Sequence, residues 1–149
     1  KEAAMPIDVV ASATLQKGLH FTGSVAGGNT IEFDSPSGAG PSPMEAVLMS
    51  LASCSGMDVI SILRKQRQPV EGLEVRVRGQ RRDEHPTVFT TIQIEYVVHG
   101  QDVDPAAVER AITLSRERYC PVWAMLGHSV AITPMFRVVS GDLAIRPVD

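Results

Sequence analysis

A long apolar segment that begins near residue 43 constrains this chain more than any other feature of its sequence. Ser42-Pro43-Met44-Glu45 has the form of a capping box with proline at the first helical position, so it predicts the start of a helix. We expect the helix to continue to about Arg67, because Pro69 ends it. Its apolar residues lie on nearly all sides, at positions 44, 46, 47, 48, 49, 51, 52, 54, 57, 59, 60, 62 and 63. Such a helix must be buried on most sides, either wrapped by sheet or shared between two subunits.

Segments with the alternation of β-strands lie on both sides of this helix. The predicted strands are Ile7–Thr14, Leu19–Gly23, Ile31–Asp34, Leu73–Arg78, Val88–His99 and Val130–Val139. Gly27-Gly28-Asn29 predicts a hairpin, and Asp104-Pro105 and Cys120-Pro121 each predict the start of a further helix. Strands and helices therefore occur in blocks, which predicts an α+β fold with antiparallel sheets around a long central buried helix.

The length of 149 residues is typical of one domain, so residues 1–149 are predicted to form a single domain. Residues 1–4 precede Met5 and are expected to be a remnant of expression, without structural weight.

Charge and composition argue against several classes of function. The net charge of −3 argues against a sequence-independent nucleic-acid binder, which needs a basic surface. Lys1–Val10 lacks the pattern of a signal peptide, and polar residues interrupt Met44–Leu63 as a membrane span. We therefore expect a cytoplasmic protein with neither nucleic acid nor membrane as partner. The four histidines are scattered without ligand spacing, so neither a metal nor another cofactor is expected.

The two cysteines are the candidate reactive groups. In a cytoplasmic chain they are expected to be either buried apolar residues or redox-active thiols, and not a permanent structural bridge. Cys54 lies within the long helix, with Ser50 and Asp58 four residues to either side on the same helical face. Cys120 directly precedes Pro121, where the start of a helix would favour its thiolate. At this level an inert role stays open for both.

Two segments around these cysteines resemble the OsmC/Ohr family, the osmotically inducible and organic hydroperoxide resistance proteins. Gly40-Pro41-Ser42-Pro43-Met44-Glu45 through Ser53-Cys54-Ser55 resembles the family's first-cysteine helix, in the subgroup that carries Gly-Pro-Ser-Pro-Met-Glu. The segment from Ser115 to Leu126 is similar to the second-cysteine segment, and the likeness covers nearly the whole chain.

The resemblance implies an intertwined homodimer, in which two long helices lie back to back and sheets from both chains wrap them. It also implies a thiol-dependent peroxidase for small organic hydroperoxides. The thiolate of Cys54 attacks the peroxide, Cys120 resolves the product to a disulfide, and an external dithiol reduces that disulfide.

The chain departs from the family's pattern at two supporting groups. The family's hydroperoxide reductases carry an arginine in the N-terminal strands and a glutamate directly after the proline that opens the helix. Here no arginine precedes Arg64, and Lys17 and His20 are the candidate cations in its place. Glu45 lies one place late and about 180° around the helix from Cys54, so capping is its favoured role.

Asp58 adds a negative charge one helical turn from Cys54, which would disfavour the thiolate unless a cation pairs with it. We therefore expect a weaker peroxidase, with the apolar neighbours Met44, Leu48 and Met57 favouring organic hydroperoxides. Two alternatives stay open: a dimeric domain that binds a small apolar ligand, and a redox sensor without turnover.

Overall fold

The computed structural model describes residues 4–36 and 38–140, so the predicted remnant at residues 1–4 falls almost entirely outside them. The elements are β1 (Ala11–Lys17), β2 (His20–Val25), β3 (Thr30–Phe33), α1 (Pro43–Lys65), β4 (Gly72–Arg81), β5 (Phe89–His99), α2 (Pro105–Leu114), a π-helical turn (Ser115–Tyr119), α3 (Pro121–Leu126) and β6 (Ala131–Val139). Two three-stranded sheets and a long helix confirm the predicted α+β class. The π-helical turn was not predicted.

The contacts divide the chain into two compact units, and the first ends at Val47. Its sheet has the order β1-β2-β3 with antiparallel pairing. The predicted hairpin joins β2 to β3 through Gly27 and Gly28, whose φ angles of 99° and 93° suit glycine. Several apolar side chains of this sheet remain exposed, among them Leu15 at 55% and Ile31 at 59%.

The second unit begins at Leu48 and contains the sheet β4-β5-β6. β4 pairs antiparallel with β5, as predicted, whereas β6 pairs parallel with β5. That last pair departs from the antiparallel expectation because α2, the π-helical turn and α3 lie between the two strands. A connection of this length returns the chain to the same end of the sheet, which a hairpin cannot do. β5 is the central strand, and its Ile92, Ile94, Tyr96 and Val98 are at most 1% exposed.

The predicted capping box starts α1. The Ser42 backbone N–H donates to Glu45 Oε1 at 2.9 Å, and the Glu45 backbone N–H donates to Ser42 Oγ at 3.2 Å. The hydrogen bond from the Ser42 backbone holds the pKa of the Glu45 carboxyl below its ordinary value. The favoured capping role of Glu45 is therefore confirmed. The helix ends at Lys65, slightly before the predicted Arg67.

α1 buries one face and leaves another exposed. Leu51, Ser55 and Val59, spaced four residues apart, are 0% exposed, whereas Met49 and Met57 are 58% and 70% exposed. By length and a mean hydropathy of 1.8 the helix could cross a membrane, and 28% of that window is buried. The core helix of a globular protein passes the same test. We interpret α1 as a core helix because its buried stripe packs within the unit that contains β5.

Candidate active site

Cys54 lies on α1 beside the buried stripe of that helix. Its side chain is a free thiol and is partly exposed. The neighbouring hydroxyls point in different directions: Ser55 is 0% exposed, whereas the exposed Ser53 donates to the Met49 carbonyl of its own helix at 2.9 Å. Of the two serines next to Cys54 in sequence, Ser55 therefore faces the core and Ser53 faces solvent.

Cys120 occupies the N-cap of α3, as predicted. The Trp123 backbone N–H donates to its Sγ at 3.3 Å, and Pro121 takes the first helical turn. The backbone N–H of Cys120 donates to the Ser115 carbonyl at 2.8 Å, which closes the π-helical turn. The hydrogen bonds to Ser115 and Trp123 thus hold Cys120 between the residues before it and after it. Cys120 is 2% exposed, so its thiol is shielded from solvent.

The start of α3 favours the Cys120 thiolate, as predicted, but burial of the thiol outweighs that effect. Burial raises the pKa of the Cys120 thiol to about 12, and the hydrogen bond from the Trp123 N–H lowers it by less. Interaction with the Cys54 thiol and the negative charge of Asp58 raise it further. Dehydration of an anion in an apolar setting thus outweighs one backbone donor, and Cys120 is a neutral thiol near pH 7.

The structure brings the two cysteines together. The Cys54 thiol lies close enough to Cys120 to raise the pKa of the Cys120 thiol. A partly exposed sulfur thus lies next to a buried, protonated one, an arrangement suited to one thiol reacting with a substrate and the other following.

A chain of buried hydroxyls lies next to the cysteine pair. Tyr96 OH and Ser55 Oγ are 2.5 Å apart, Ser55 Oγ and Ser115 Oγ are 2.8 Å apart, and Ser115 Oγ donates to Asp58 Oδ2 at 3.0 Å. Tyr96, Ser55 and Ser115 are each 0% exposed. Asp58 is half-buried and accepts this hydrogen bond from Ser115. We call Tyr96, Ser55, Ser115 and Asp58 the hydroxyl chain.

Of the four members of the hydroxyl chain, only Asp58 was a site residue predicted from the sequence. A signal for two of the others was present, because Tyr96 shares the period-two alternation of Ile92 and Ile94, and Ser115 follows Ala111 by four residues on one helical face. A buried tyrosine or serine needs a hydrogen-bond partner, so polar residues on two predicted inner faces indicate a buried polar contact. Their pairing with Ser55 was not predictable, since Ser55 and Ser115 are 60 residues apart.

Arg116 brings a positive charge to the hydroxyl chain. Burial raises the pKa of Tyr96 well above its ordinary value, the negative charges of Cys120 and Asp58 add to that, and the charge of Arg116 acts in the opposite direction. Arg116 also lies 3.2 Å from Glu117 in an ion pair. It was not among the cations considered from the sequence.

The other predicted site residues lie in the first unit. His20 Nε2 lies 2.6 Å from Glu32 Oε1, which also accepts from Thr22 Oγ1 at 2.7 Å. Lys17 is exposed at the end of β1, and Glu45 caps α1. A supporting role for His20, Lys17 or Glu45 at Cys54 stays a prediction. Within residues 4–36 and 38–140, no three histidine, cysteine or acidic side chains are grouped as metal ligands would be.

Comparison with known proteins yields consistent matches over most of the chain. A family model for OsmC-like proteins matches residues 36–135. Protein YhfA of Escherichia coli K12 is 47% identical over 125 residues, which is 83% of this chain and 93% of YhfA. The crystal structure of a hypothetical protein from Aquifex aeolicus VF5 shares 34% identity with a TM-score of 0.83, and the match covers 93% of this chain and 100% of that one. The organic hydroperoxide resistance protein OhrB of Bacillus subtilis shares 17% identity and a TM-score of 0.60, over 88% of this chain and 98% of OhrB. At that identity OhrB shows a likeness of fold.

Proposed function

This chain belongs to the OsmC-like protein family, and on that premise we propose that it is a cytoplasmic thiol peroxidase that reduces organic hydroperoxides through a two-cysteine cycle. The proximity of Cys54 and Cys120 carries this proposal, because Ser55 and Asp58, beside Cys54 on α1, bond to Ser115, whose carbonyl accepts the Cys120 N–H. The two cysteines come from different helices and make no structural disulfide. The fold shared with an organic hydroperoxide resistance protein supports the choice of substrate class.

Cys54 is the proposed nucleophile, because its thiol is partly exposed while Cys120 is buried and protonated. The Cys54 thiolate attacks one peroxide oxygen, the O–O bond breaks, and the departing alkoxide takes up a proton and leaves as an alcohol. Cys54 is thereby oxidised to a sulfenic acid, which is the reversible first stage of cysteine oxidation.

Cys120 is the proposed resolving thiol. Its sulfur attacks the sulfur of the Cys54 sulfenic acid, the S–O bond breaks, and the hydroxide combines with the Cys120 proton to leave as water. An external dithiol then reduces the Cys54–Cys120 disulfide by exchange, which restores both thiols and oxidises the dithiol to its own disulfide. The buried and neutral state of Cys120 keeps it from reacting with the peroxide before Cys54 does.

We also propose a homodimer in which the exposed face of α1 packs against a second copy of the chain. Met49 and Met57 border a groove of about 610 Å³ between α1 and β4, which Gly56, Ile60 and Val75 also line. Large apolar side chains that are exposed together on one face are typical of an interaction site. The exposed apolar side chains of the first unit's sheet support the same proposal independently.

The same groove favours a second candidate function, a domain that binds a small apolar ligand without peroxidase turnover. Its volume lies within the range of about 300–1,000 Å³ that is usual for small-molecule sites. The two candidates differ in the chemistry expected at Cys54, because a binding domain has no need to oxidise its thiols.

A single-turnover experiment tests the peroxidase proposal. Reduced protein receives one equivalent of cumene hydroperoxide, the reaction is quenched with an alkylating agent, and peptides are mapped by mass spectrometry. We expect one equivalent of cumyl alcohol and a linked Cys54–Cys120 peptide, formed faster than with hydrogen peroxide.

Two variants serve as controls for this experiment. Cys54→Ser should form neither the alcohol nor the linked peptide. Ser53→Ala removes an exposed hydroxyl that bonds to its own helix, so it should behave as wild type. If both thiols are recovered alkylated after excess peroxide, the peroxidase proposal is wrong and the binding domain is favoured.

A further inference from the structure

The hydroxyl chain connects the segments that carry the two cysteines. Ser55 and Asp58 follow Cys54 on α1 by one residue and by one helical turn. Both bond to the hydroxyl of Ser115, whose own carbonyl accepts the backbone N–H of Cys120 at 2.8 Å. The side chain of Ser115 therefore binds the helix of one cysteine, and its backbone holds the other.

The carboxylate of Asp58 fixes the direction of every hydrogen bond in this chain. Ser115 donates its one proton to Asp58, so it has none left to donate to Ser55. Ser55 must then donate to Ser115, and Tyr96 must donate to Ser55. Each hydroxyl thus donates one hydrogen bond, and both serines also accept one. These bonds hold the buried side chains in a single arrangement.

The hydroxyl chain is not a path for protons from the substrate. It ends at Tyr96, which is 0% exposed on the central strand β5, and burial keeps the Tyr96 hydroxyl protonated. A polar chain with one end inside the core can orient and hold its members.

The π-helical turn explains why such a tether matters. Cys120 bonds to the carbonyl of the fifth residue before it, Ser115, instead of the fourth, Arg116. If the turn relaxed to the α-helical register, the side chain of Cys120 would rotate by about 100° around the helix axis. The two hydrogen bonds between the Ser115 hydroxyl and α1 oppose that change, because they fix the residue at which the π-helical turn begins.

We propose that the hydroxyl chain, through Ser115, positions Cys120 against Cys54 and thereby sets how readily the two sulfurs form a disulfide. Ser115 is a positioning residue, since it acts through the backbone of Cys120. The inference deepens the proposed function and rests on it for its biological meaning. The quantity that Ser115 is proposed to raise is the effective concentration of one thiol at the other.

An equilibrium with glutathione tests this inference without any peroxide. Reduced and oxidised protein are equilibrated in buffers of varied glutathione to glutathione disulfide ratio, quenched with acid, and quantified by mass spectrometry. We expect Ser115→Ala to disfavour the Cys54–Cys120 disulfide about tenfold, a shift of about 30 mV for a two-electron couple. Tyr96→Phe, at the far end of the hydroxyl chain, should shift the equilibrium in the same direction but by less. Ser53→Ala is the matched control and should leave it unchanged.

A single turnover with cumene hydroperoxide gives the second readout. In Ser115→Ala the release of cumyl alcohol should stay within about twofold of wild type, while the linked peptide forms about tenfold more slowly. The Cys54 sulfenic acid should then accumulate and be trapped by dimedone. A general loss of structure would slow both steps together, and circular dichroism of each variant checks that it is folded.

The outcomes separate this inference from the proposed function. If the wild-type protein releases no alcohol but Ser115→Ala still shifts the glutathione equilibrium relative to wild type, the peroxidase proposal fails and the positioning role stands. If the equilibrium of folded Ser115→Ala and Tyr96→Phe matches that of wild type within twofold, the positioning role is overturned. A wild-type protein that forms no disulfide in any glutathione buffer overturns it as well.

Discussion

The substitution Ser115→Ala should also destabilise the fold, and the structure allows the size of the effect to be worked out. Ser115 is 0% exposed and its hydroxyl makes two hydrogen bonds, at 2.8 Å to Ser55 and at 3.0 Å to Asp58. The substitution deletes both bonds and leaves the Ser55 hydroxyl without its acceptor. Alanine leaves at most a small cavity, so the loss of hydrogen bonds dominates the change in the free energy of unfolding.

Two terms make up the expected magnitude. Asp58 is half-buried, so water can replace part of its bond, and we assign about 1 kcal/mol to that loss. Ser55 is 0% exposed, so its stranded O–H costs about 2 kcal/mol. The expected loss is therefore about 3 kcal/mol. Tyr96→Phe leaves Ser55 still donating to Ser115 and should cost only about 1 kcal/mol.

A double-mutant cycle isolates the contribution of the stranded hydroxyl. Ser55→Ala in the background of Ser115→Ala removes the unpaired donor, so the double variant should be less destabilised than the sum of the two single variants by about 1–2 kcal/mol. Urea denaturation of the reduced proteins measures each value, at one fixed protein concentration because a dimer would make stability depend on it. Additive single variants, or a loss below about 1 kcal/mol for Ser115→Ala, would refute the reasoning.

Two further predictions follow from burial and from exposure. Burial raises the pKa of Cys120 from 9.0 to about 12, so the folded chain retains a proton that the unfolded chain releases between these values. Stability from this group is complete below pH 9 and is lost as the pH rises toward 12, by up to about 1.4 kcal/mol per pH unit. Urea denaturation at several alkaline pH values should show this slope in wild type minus Cys120→Ala, and identical slopes would contradict it. Met57 is 70% exposed beside the apolar groove, so Met57→Glu should convert the proposed dimer to monomer in light scattering, whereas Ala106→Glu on the exposed face of α2 should not. Equal molar masses for wild type and Met57→Glu would count against this face as the subunit contact.

The local features of the chain were predictable because each is fixed by residues close in sequence. Ser42 and Glu45 cap α1 as expected, and Asp104 Oδ1 accepts from the Ala106 N–H at 3.0 Å to begin α2. Cys120 caps α3 with its sulfur, again as its position before Pro121 indicated. Caps of this kind depend on neighbours within one helical turn, so the sequence contains all the information they need.

The pairing of Cys54 with Cys120 came from the resemblance and not from local patterns. Both cysteines lie in segments whose motifs are similar to the family's, and the structure places their thiols close enough to interact. The spacing of the two residues contains no information about that contact, because residues 66 positions apart meet only through the packing of α1 against the segment after α2.

The sequence by itself determined the α+β class, the order of the predicted helices and strands, the start of each helix and the identity of the two thiols. Only the tertiary structure decided that β6 runs parallel to β5, that Cys120 is protonated, and that Ser55, Ser115, Tyr96 and Asp58 form one hydrogen-bonded chain. The physical reason is common to all three. Strand direction, dehydration of a thiol and the partner of a buried hydroxyl each depend on groups from distant parts of the chain, whereas periodicity and capping depend on neighbours.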